Sequence, residues 1–161
     1  MAGRQSAGIL LYRISDKNLE VFLVHPGGPY WKDKDEGAWT IPKGEFVEGE
    51  EPLDAAIREF KEETGSYIHG KFIPLTPVKQ KAGKSVFAWA IEGDINAETI
   101  KSNSFKMEWP PKSGQWKSFA EVDKGGWFTL MDAMIKINAA QNSFIQELIT
   151  LLPANNNNDD L

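Results

Sequence analysis

A layered domain of the α/β or α+β class is what the chain predicts, on three observations. Most of its apolar segments are short and extended in character, one amphipathic helix stands near the centre, and two further helical patterns close the C-terminal side. With 161 residues, 41% hydrophobic and 11% aromatic, there is material for one sizeable core. No internal repeat or linker divides it. Residues 1–153 are therefore expected to form a single domain, and 154–161 (ANNNNDDL) a disordered polar tail.

Ser6 to Ile14 is apolar and ends at Ser15-Asp16-Lys17-Asn18, so it reads as a strand whose partner is Leu19 to His25, joined by a four-residue loop. Pro26-Gly27-Gly28-Pro29 stops the sheet, and a charged loop to Gly37 carries Tyr30 and Trp31. Trp39 to Pro42 reads as a short strand. Glu51-Pro52 then opens a helix, since proline suits the first turn, and Thr64-Gly65 closes it. Leu53, Ala56, Ile57, Phe60 and Thr64 recur at the spacing of a buried stripe.

Two further strand candidates follow, at 71–80 and 84–92; Pro74 and Pro77 demote part of the first to an edge or bulge. Phe105 to Trp109 alternates and is halted by Pro110-Pro111. Between Glu121 and Phe128 the pattern predicts a turn over 123–126 and then a short strand. Residues 130–137 and 141–152 are helical in pattern, the latter with a stripe of Phe144, Ile145, Leu148, Leu151 and Leu152.

The central helix holds an anomaly. Glu59, Glu62 and Glu63 stand at i, i+3 and i+4 and crowd onto one face, where like charges repel by a few tenths of a kcal/mol. Two of them lie in the last turn, where the helix dipole favours cations. From Gly44 to Gly65 there are eight acids and two bases, a net −6 against −5 for the whole chain, so the acidity is local. A hard divalent cation such as Mg2+ or Mn2+ would relieve that repulsion, because carboxylate oxygens are its natural ligands. A solvated acidic face is the plainer reading of three glutamates taken alone.

The wider pattern outweighs the plainer reading. Gly44, Glu50, Arg58-Glu59-Phe60, Glu62-Glu63 and Gly65 stand at the spacing of the Nudix box, and the chain resembles the Nudix hydrolases. One position departs: Ser66 stands where that family prefers an aliphatic residue, with Tyr67 or Ile68 available to compensate. The resemblance implies an α/β/α sandwich with a mixed sheet and a central loop–helix–loop motif. It also implies Mg2+-dependent (or Mn2+-dependent) cleavage of a phosphoanhydride bond in a nucleoside diphosphate derivative.

Mapped by position, Glu62 and Glu63 are the expected principal metal ligands, and Glu59 a ligand or the general base. Arg58 would orient these carboxylates. Glu50 and Gly65 are structural within the motif, and the backbone carbonyl of Lys43 or Gly44 is a further expected ligand. Glu121, six residues before Trp127, is the expected additional acid, with Glu108 as competitor. Lys43 is a candidate phosphate partner. Tyr30, Trp31 and Trp39 are candidate base-stacking residues, with Trp109 and Trp116 also available. His25 and His69 receive no role.

Trp39-Thr40-Ile41-Pro42-Lys43-Gly44 is similar to the lead-in of dinucleoside polyphosphate and diphosphoinositol polyphosphate hydrolases, which leans toward dinucleoside polyphosphates; an enzyme that clears oxidised nucleoside triphosphates is the alternative. A non-catalytic nucleotide-sensing module is a different class of answer, but such modules typically lose box acids that this chain retains. A scaffold binding a basic partner explains the charges but not Gly44, Arg58 and Gly65. Outside the box the charge sums to +1, which leaves no basic field for a nucleic-acid polymer. The chain has 0 Cys, so disulfides and thiolate chemistry are excluded. Its first residues hold too short an apolar run for a signal peptide or membrane span, and a cytoplasmic location is expected. Nothing in the pattern chooses between monomer and homodimer.

Overall fold

The computed structural model describes residues 4–80 and 83–152; the tail assigned to 154–161 lies outside the described residues. Nine strands and three α-helices are present among them. Strands β1 (Gln5–Ser15) and β2 (Asn18–Pro26) form the expected hairpin, but its loop is two residues rather than four. Asp16 and Lys17 both take positive φ, 51° and 68°, with Ser15 paired to Asn18. Two such residues twist the chain in the sense that flanking strands require, and so make the tightest hairpin turn available.

The strand expected at Trp39 to Pro42 is displaced along the chain. Thr40 makes only an isolated bridge to Val24 and Trp39 one to Ile137, while the true strand, β3, is Lys43–Glu45. β1 is shared along its length: Ser6, Ala7 and Gly8 pair with β3, whereas Tyr12 to Ser15 pair with β2. That division delivers Lys43 and Gly44 to the sheet edge beside helix α1 (Pro52–Thr64).

After α1 come β4 (Ile73–Pro74) and β5 (Val78–Lys79), two fragments where the sequence offered one proline-broken candidate. Both pair antiparallel with β6 (Ser85–Glu92), which runs parallel to β1. Because the remaining pairings are antiparallel, the sheet is mixed. β9 (Val122–Thr129) completes it against β2, the register shifting between His25 and Pro26 opposite Asp123. The turn expected at 123–126 does not form. Gly125 is needed there for closeness instead, since a Cβ on it would lie 2.7 Å from the Phe22 ring.

β7 (Ser104–Glu108) pairs with β8 (Trp116–Ala120) in a separate two-stranded sheet. The first of these is expected from its alternation; the second has no pattern that predicts it. Helices α2 (Leu130–Lys136) and α3 (Asn142–Leu151) close the chain.

Alternation along β1 separates two cores. Ala7, Ile9 and Leu11 face α1 with Phe22, Val24, Ala55, Ala56 and Phe60, while Leu10 and Tyr12 face α2 and α3 with Leu23, Ile137, Phe144, Ile145 and Leu148. The result is an α/β/α sandwich, as expected. Phe60 is fully buried, and truncating it to alanine would cost about 3–5 kcal/mol. The C-terminal stripe differs at one position: Leu151 is exposed, while Leu152 packs against the core. No helix among the described residues is long and apolar enough to cross a membrane.

Candidate active site

Helix α1 is set by its ends. Pro52 stands in the first turn, and Gly65 takes φ 82° just past the last, its N–H donating to the Lys61 carbonyl. The buried face differs from the expected stripe. Ala55, Ala56, Glu59, Phe60 and Thr64 are buried, while Leu53 and Ile57 are only partly covered. The helix is thus rotated toward its acidic side, which carries Glu59 inward. Beyond Gly65, Ile68 enters the core and Tyr67 stays exposed, so Ile68 supplies the apolar contact that Ser66 does not.

Glu59 is 8% exposed and lies against Gly44: a Cβ at Gly44 would sit 2.0 Å from its Oε1. Any side chain there would push that carboxylate out of its place. Arg58 then ties the acids together. Its Nε and Nη2 donate to the two oxygens of Glu50 (2.8 and 3.1 Å), and Nη1 donates to Glu59 (2.8 Å) and Glu62 (3.1 Å). The planar fork of guanidinium suits the bidentate pair. Glu63 points back to the strand, accepting from the Lys43 N–H at 3.3 Å.

The last-turn carbonyls of α1 have partners far along the chain. Lys101 N–H donates to the Thr64 carbonyl and Asn103 N–H to that of Glu62, both at 2.9 Å. The same segment positions Glu121, whose N–H donates to the Asn103 carbonyl at 2.8 Å. Backbone pairing therefore brings Glu121 to the acidic end of α1, from 58 or more residues away. Glu108 is not brought there, because it accepts from Gly114 N–H at 2.8 Å and caps its own hairpin.

The electrostatics agree with this geometry. Burial pushes the Glu63 carboxyl well above its ordinary range, with Lys43 opposing and Glu59 and Glu121 adding to the rise. Burial also raises Glu59 against the pull of Arg58, and raises Glu121, with the Glu62 charge contributing. Glu50, doubly bonded to Arg58, is held below its usual value. One guanidinium thus faces more carboxylate charge than it can balance.

Among the described residues no three acidic or histidine side chains are drawn together as a ready-made cation cage; Arg58 stands among Glu50, Glu59 and Glu62 instead. The donor set nevertheless suits a hard divalent ion, for two carboxylates of raised pKa meet the same short strand, Glu59 against Gly44 and Glu63 at the Lys43 N–H.

A cleft of about 610 Å³ adjoins the site and is lined by Lys43, Gly44, Glu45, Gln80, Lys84 and Asn138, among others. Burial and the like charge of Lys84 both depress Lys43, although Glu63 acts the other way. Two cations therefore share this cleft. Sequence reasoning named Lys43 but missed Lys84, whose only sequence signal is a lysine just ahead of a strand.

The aromatics divide. Trp39 is buried at 6% exposure, meeting His25 and Phe128 edge to face at 5.3 and 4.9 Å and donating from Nε1 to Asp35 at 2.8 Å. Its ring is thus taken up by the core. Tyr30 and Trp31 are exposed, Tyr30 meeting Trp109 edge to face at 5.2 Å and Trp31 lying under Lys34. His25 is wholly buried between Asp123 of β9 and the Lys34 carbonyl, and so ties the loop that carries Lys34 to the sheet.

The mixed-sheet sandwich with a glycine-led acidic loop and helix at its edge is the arrangement that the spacing from Gly44 to Gly65 implied. The family model for the NUDIX domain matches residues 3–148, and the chain belongs to that family. It is 31% identical over 121 residues to an RNA pyrophosphohydrolase of Brucella anthropi, covering 65% of this chain and 63% of that protein. The chain spans less than two thirds of the curated relatives it matches: 63% of that one and 16% of two others. In fold it is similar to a C. elegans Ap4A hydrolase binary complex (TM-score 0.63, 24% identity, 90% of this chain and 96% of the other). It is likewise similar to the NUDIX domain of Shewanella oneidensis NrtR complexed with ADP ribose (TM-score 0.65, 14% identity, 95% and 90%).

Proposed function

We propose that this chain is a cytoplasmic hydrolase that splits a phosphoanhydride bond in a nucleoside diphosphate derivative, with a dinucleoside polyphosphate as the leading substrate class. The observation that carries the reading is Arg58 joined to Glu50, Glu59 and Glu62, with Glu59 lying against Gly44, which also lines the cleft that Lys43 and Lys84 share. Acids on one side and cations on the other suit a substrate whose phosphates are anionic and whose attack by water needs a base.

Glu59, Glu62, Glu63, Glu121 and the Gly44 carbonyl would hold Mg2+ or Mn2+. Such an ion, when bound, offsets phosphate charge and acidifies the attacking water. Arg58 keeps the carboxylates oriented through charge-assisted hydrogen bonds, while Glu50 holds Arg58 from the far side. Glu59, buried and raised in pKa, is suited to take a proton from water. As the water oxygen bonds to phosphorus, the bridging P–O bond breaks and its electron pair leaves with the departing phosphate. Lys43 and Lys84 neutralise phosphate oxygens along the cleft. Tyr30 and Trp31 are the exposed rings for a base.

The lean toward dinucleoside polyphosphates rests on the Trp39-to-Gly44 lead-in and the Ap4A hydrolase among the structural neighbours. The name of the Brucella relative brings a second reading, the 5′-phosphorylated end of an RNA. Incubation with Mg2+ and a panel of nucleotides in 18O-labelled water tests both. The panel includes diadenosine tetraphosphate, an oxidised nucleoside triphosphate and a 5′-triphosphorylated oligonucleotide. Mass spectrometry then identifies the leaving group and the attacked phosphorus. Binding without turnover on any of them would favour a nucleotide-sensing module and end the hydrolase reading.

A further inference from the structure

The β7–β8 hairpin belongs to neither core, and most of its side chains are exposed. Two strands alone are marginally stable in water, so what holds it deserves an account. At its root the Asn103 N–H donates to Glu62, the Glu121 N–H to Asn103, and the Gly27 N–H to Glu121, at 2.8–2.9 Å. Hairpin, acidic helix and the loop that starts at Gly27 are thus joined in one relay of backbone bonds.

Along its length the hairpin is held by that same loop. A Cβ on Gly28 would lie 3.1 Å from the Phe105 ring, and Tyr30 meets Trp109 edge to face. Phe105 and Trp109 are both odd-numbered, and side chains alternate along a strand, so the two contacts identify one face. Lys117 pairs with Met107 and therefore shares it, whereas Trp116 pairs with Glu108 on the opposite face.

We infer that this face, with Tyr30 across from it, is the arm that holds a nucleobase of the substrate at a distance from the bond being cut. The inference rests on the hydrolase reading for what lies at the root. Trp109 stands five residues beyond Ser104, roughly 16 Å along an extended strand. From root to tip this face carries the Phe105–Phe119 ring pair, then Lys117 beside Met107, then Trp109 against Tyr30, with the carboxylates at the root. Lys117 thus lies between the carboxylates and the outermost rings, as the remaining phosphate charge of a nucleotide lies between its scissile anhydride and its base. Stacking accepts any base, since each has a π face. The arm therefore selects for a base set beyond several phosphates.

Titration calorimetry in Mg2+ tests this without turnover. The probes are a methylene-bridged diadenosine tetraphosphate, whose P–C–P links are not cut, and methylenediphosphonate, which has the linkage and no base. Tyr30→Ala and Trp109→Ala are expected to weaken the dinucleotide roughly five- to hundredfold and to leave methylenediphosphonate unchanged. Trp109→Phe should hold dinucleotide affinity within about threefold, because the ring remains. Trp116→Ala, on the other face of the same hairpin, should change neither. Unchanged dinucleotide affinity in both alanine variants overturns the arm. So does an equal loss on both probes, an equal loss in Trp116→Ala, or wild-type protein that binds no dinucleotide. Wild-type protein that binds the bridged analogue yet never cuts diadenosine tetraphosphate leaves the arm standing and removes the hydrolase reading.

Discussion

Gly44 and Glu59 occupy one space: the Cβ that any other residue would bring to position 44 falls 2.0 Å from the Glu59 carboxylate oxygen. The loop glycine and the buried acid of α1 are therefore a single device. Backbone closeness on β3 fixes where the carboxylate sits, and a side chain at 44 would push that carboxylate aside.

Gly44→Ala follows from that contact. Glu59 must move by more than an ångström, and a misplacement of that size costs about a hundredfold in turnover. Glu59→Asp, being shorter, should recover part of the loss when combined with Gly44→Ala, so the two changes are not additive. Rates of the two single variants and the double variant check this. Additive losses would show that the residues act apart.

Arg58→Lys keeps the charge and removes the fork. A lysine cannot serve Glu50 through two parallel bonds while reaching Glu59 and Glu62. Loss of such orienting contacts typically costs about 10–100-fold in activity or metal affinity. Arg58→Lys should therefore resemble Arg58→Ala in turnover, measured at saturating Mg2+. Near wild-type rates in the lysine variant would contradict an orienting role.

Stability of the metal-free protein should fall as pH rises. Glu59, Glu63 and Glu121 have folded-state values above those of the unfolded chain, so the folded state binds protons more tightly. Their favourable contribution is full below the unfolded carboxylate value and disappears as pH climbs through the raised ones. Glu50, held low by Arg58, acts in the opposite sense at more acidic pH. Mg2+ should raise Tm more at pH 8 than at pH 5, read by thermal melts with Mg2+ or EDTA. An equal rise at both pH values would contradict the linkage.

Glu121 is set apart from Glu108 by where the backbone takes it. Glu121→Gln should lower turnover and weaken Mg2+, whereas Glu108→Gln should loosen only its hairpin turn. Mg2+ titrations of both variants decide the matter, and equal effects would refute the assignment.

Much of this was legible in the sequence because it is local. Pro52 and Gly65 bound the helix, Pro110 ends a strand, and alternation over Val86, Ala88 and Ala90 marks β6. The spacing from Gly44 to Gly65 gave the motif, although not the rotation of α1 that buries Glu59 in place of Leu53 and Ile57. That rotation depends on Gly44, which is on another element. β8 was missed because Trp116 to Ala120 has no buried face and so no hydrophobic pattern. The turn expected at 123–126 failed because its glycines serve close packing, Gly125 on Phe22 and Gly126 on Phe128, rather than a reversal. Glu121 could be named from its place before Trp127, yet its route to Glu62 through Asn103 is long-range pairing that no local pattern encodes.

The central claim is that the carboxylates of α1 work through a divalent ion on a phosphate chain. Its most direct test is the initial rate on diadenosine tetraphosphate, for wild type and Glu62→Gln, in Mg2+ and in EDTA. Mg2+-dependent hydrolysis abolished by EDTA, and reduced by about a hundredfold or more in Glu62→Gln, is the predicted result. Turnover that persists in EDTA, or that the glutamine leaves untouched, would contradict it.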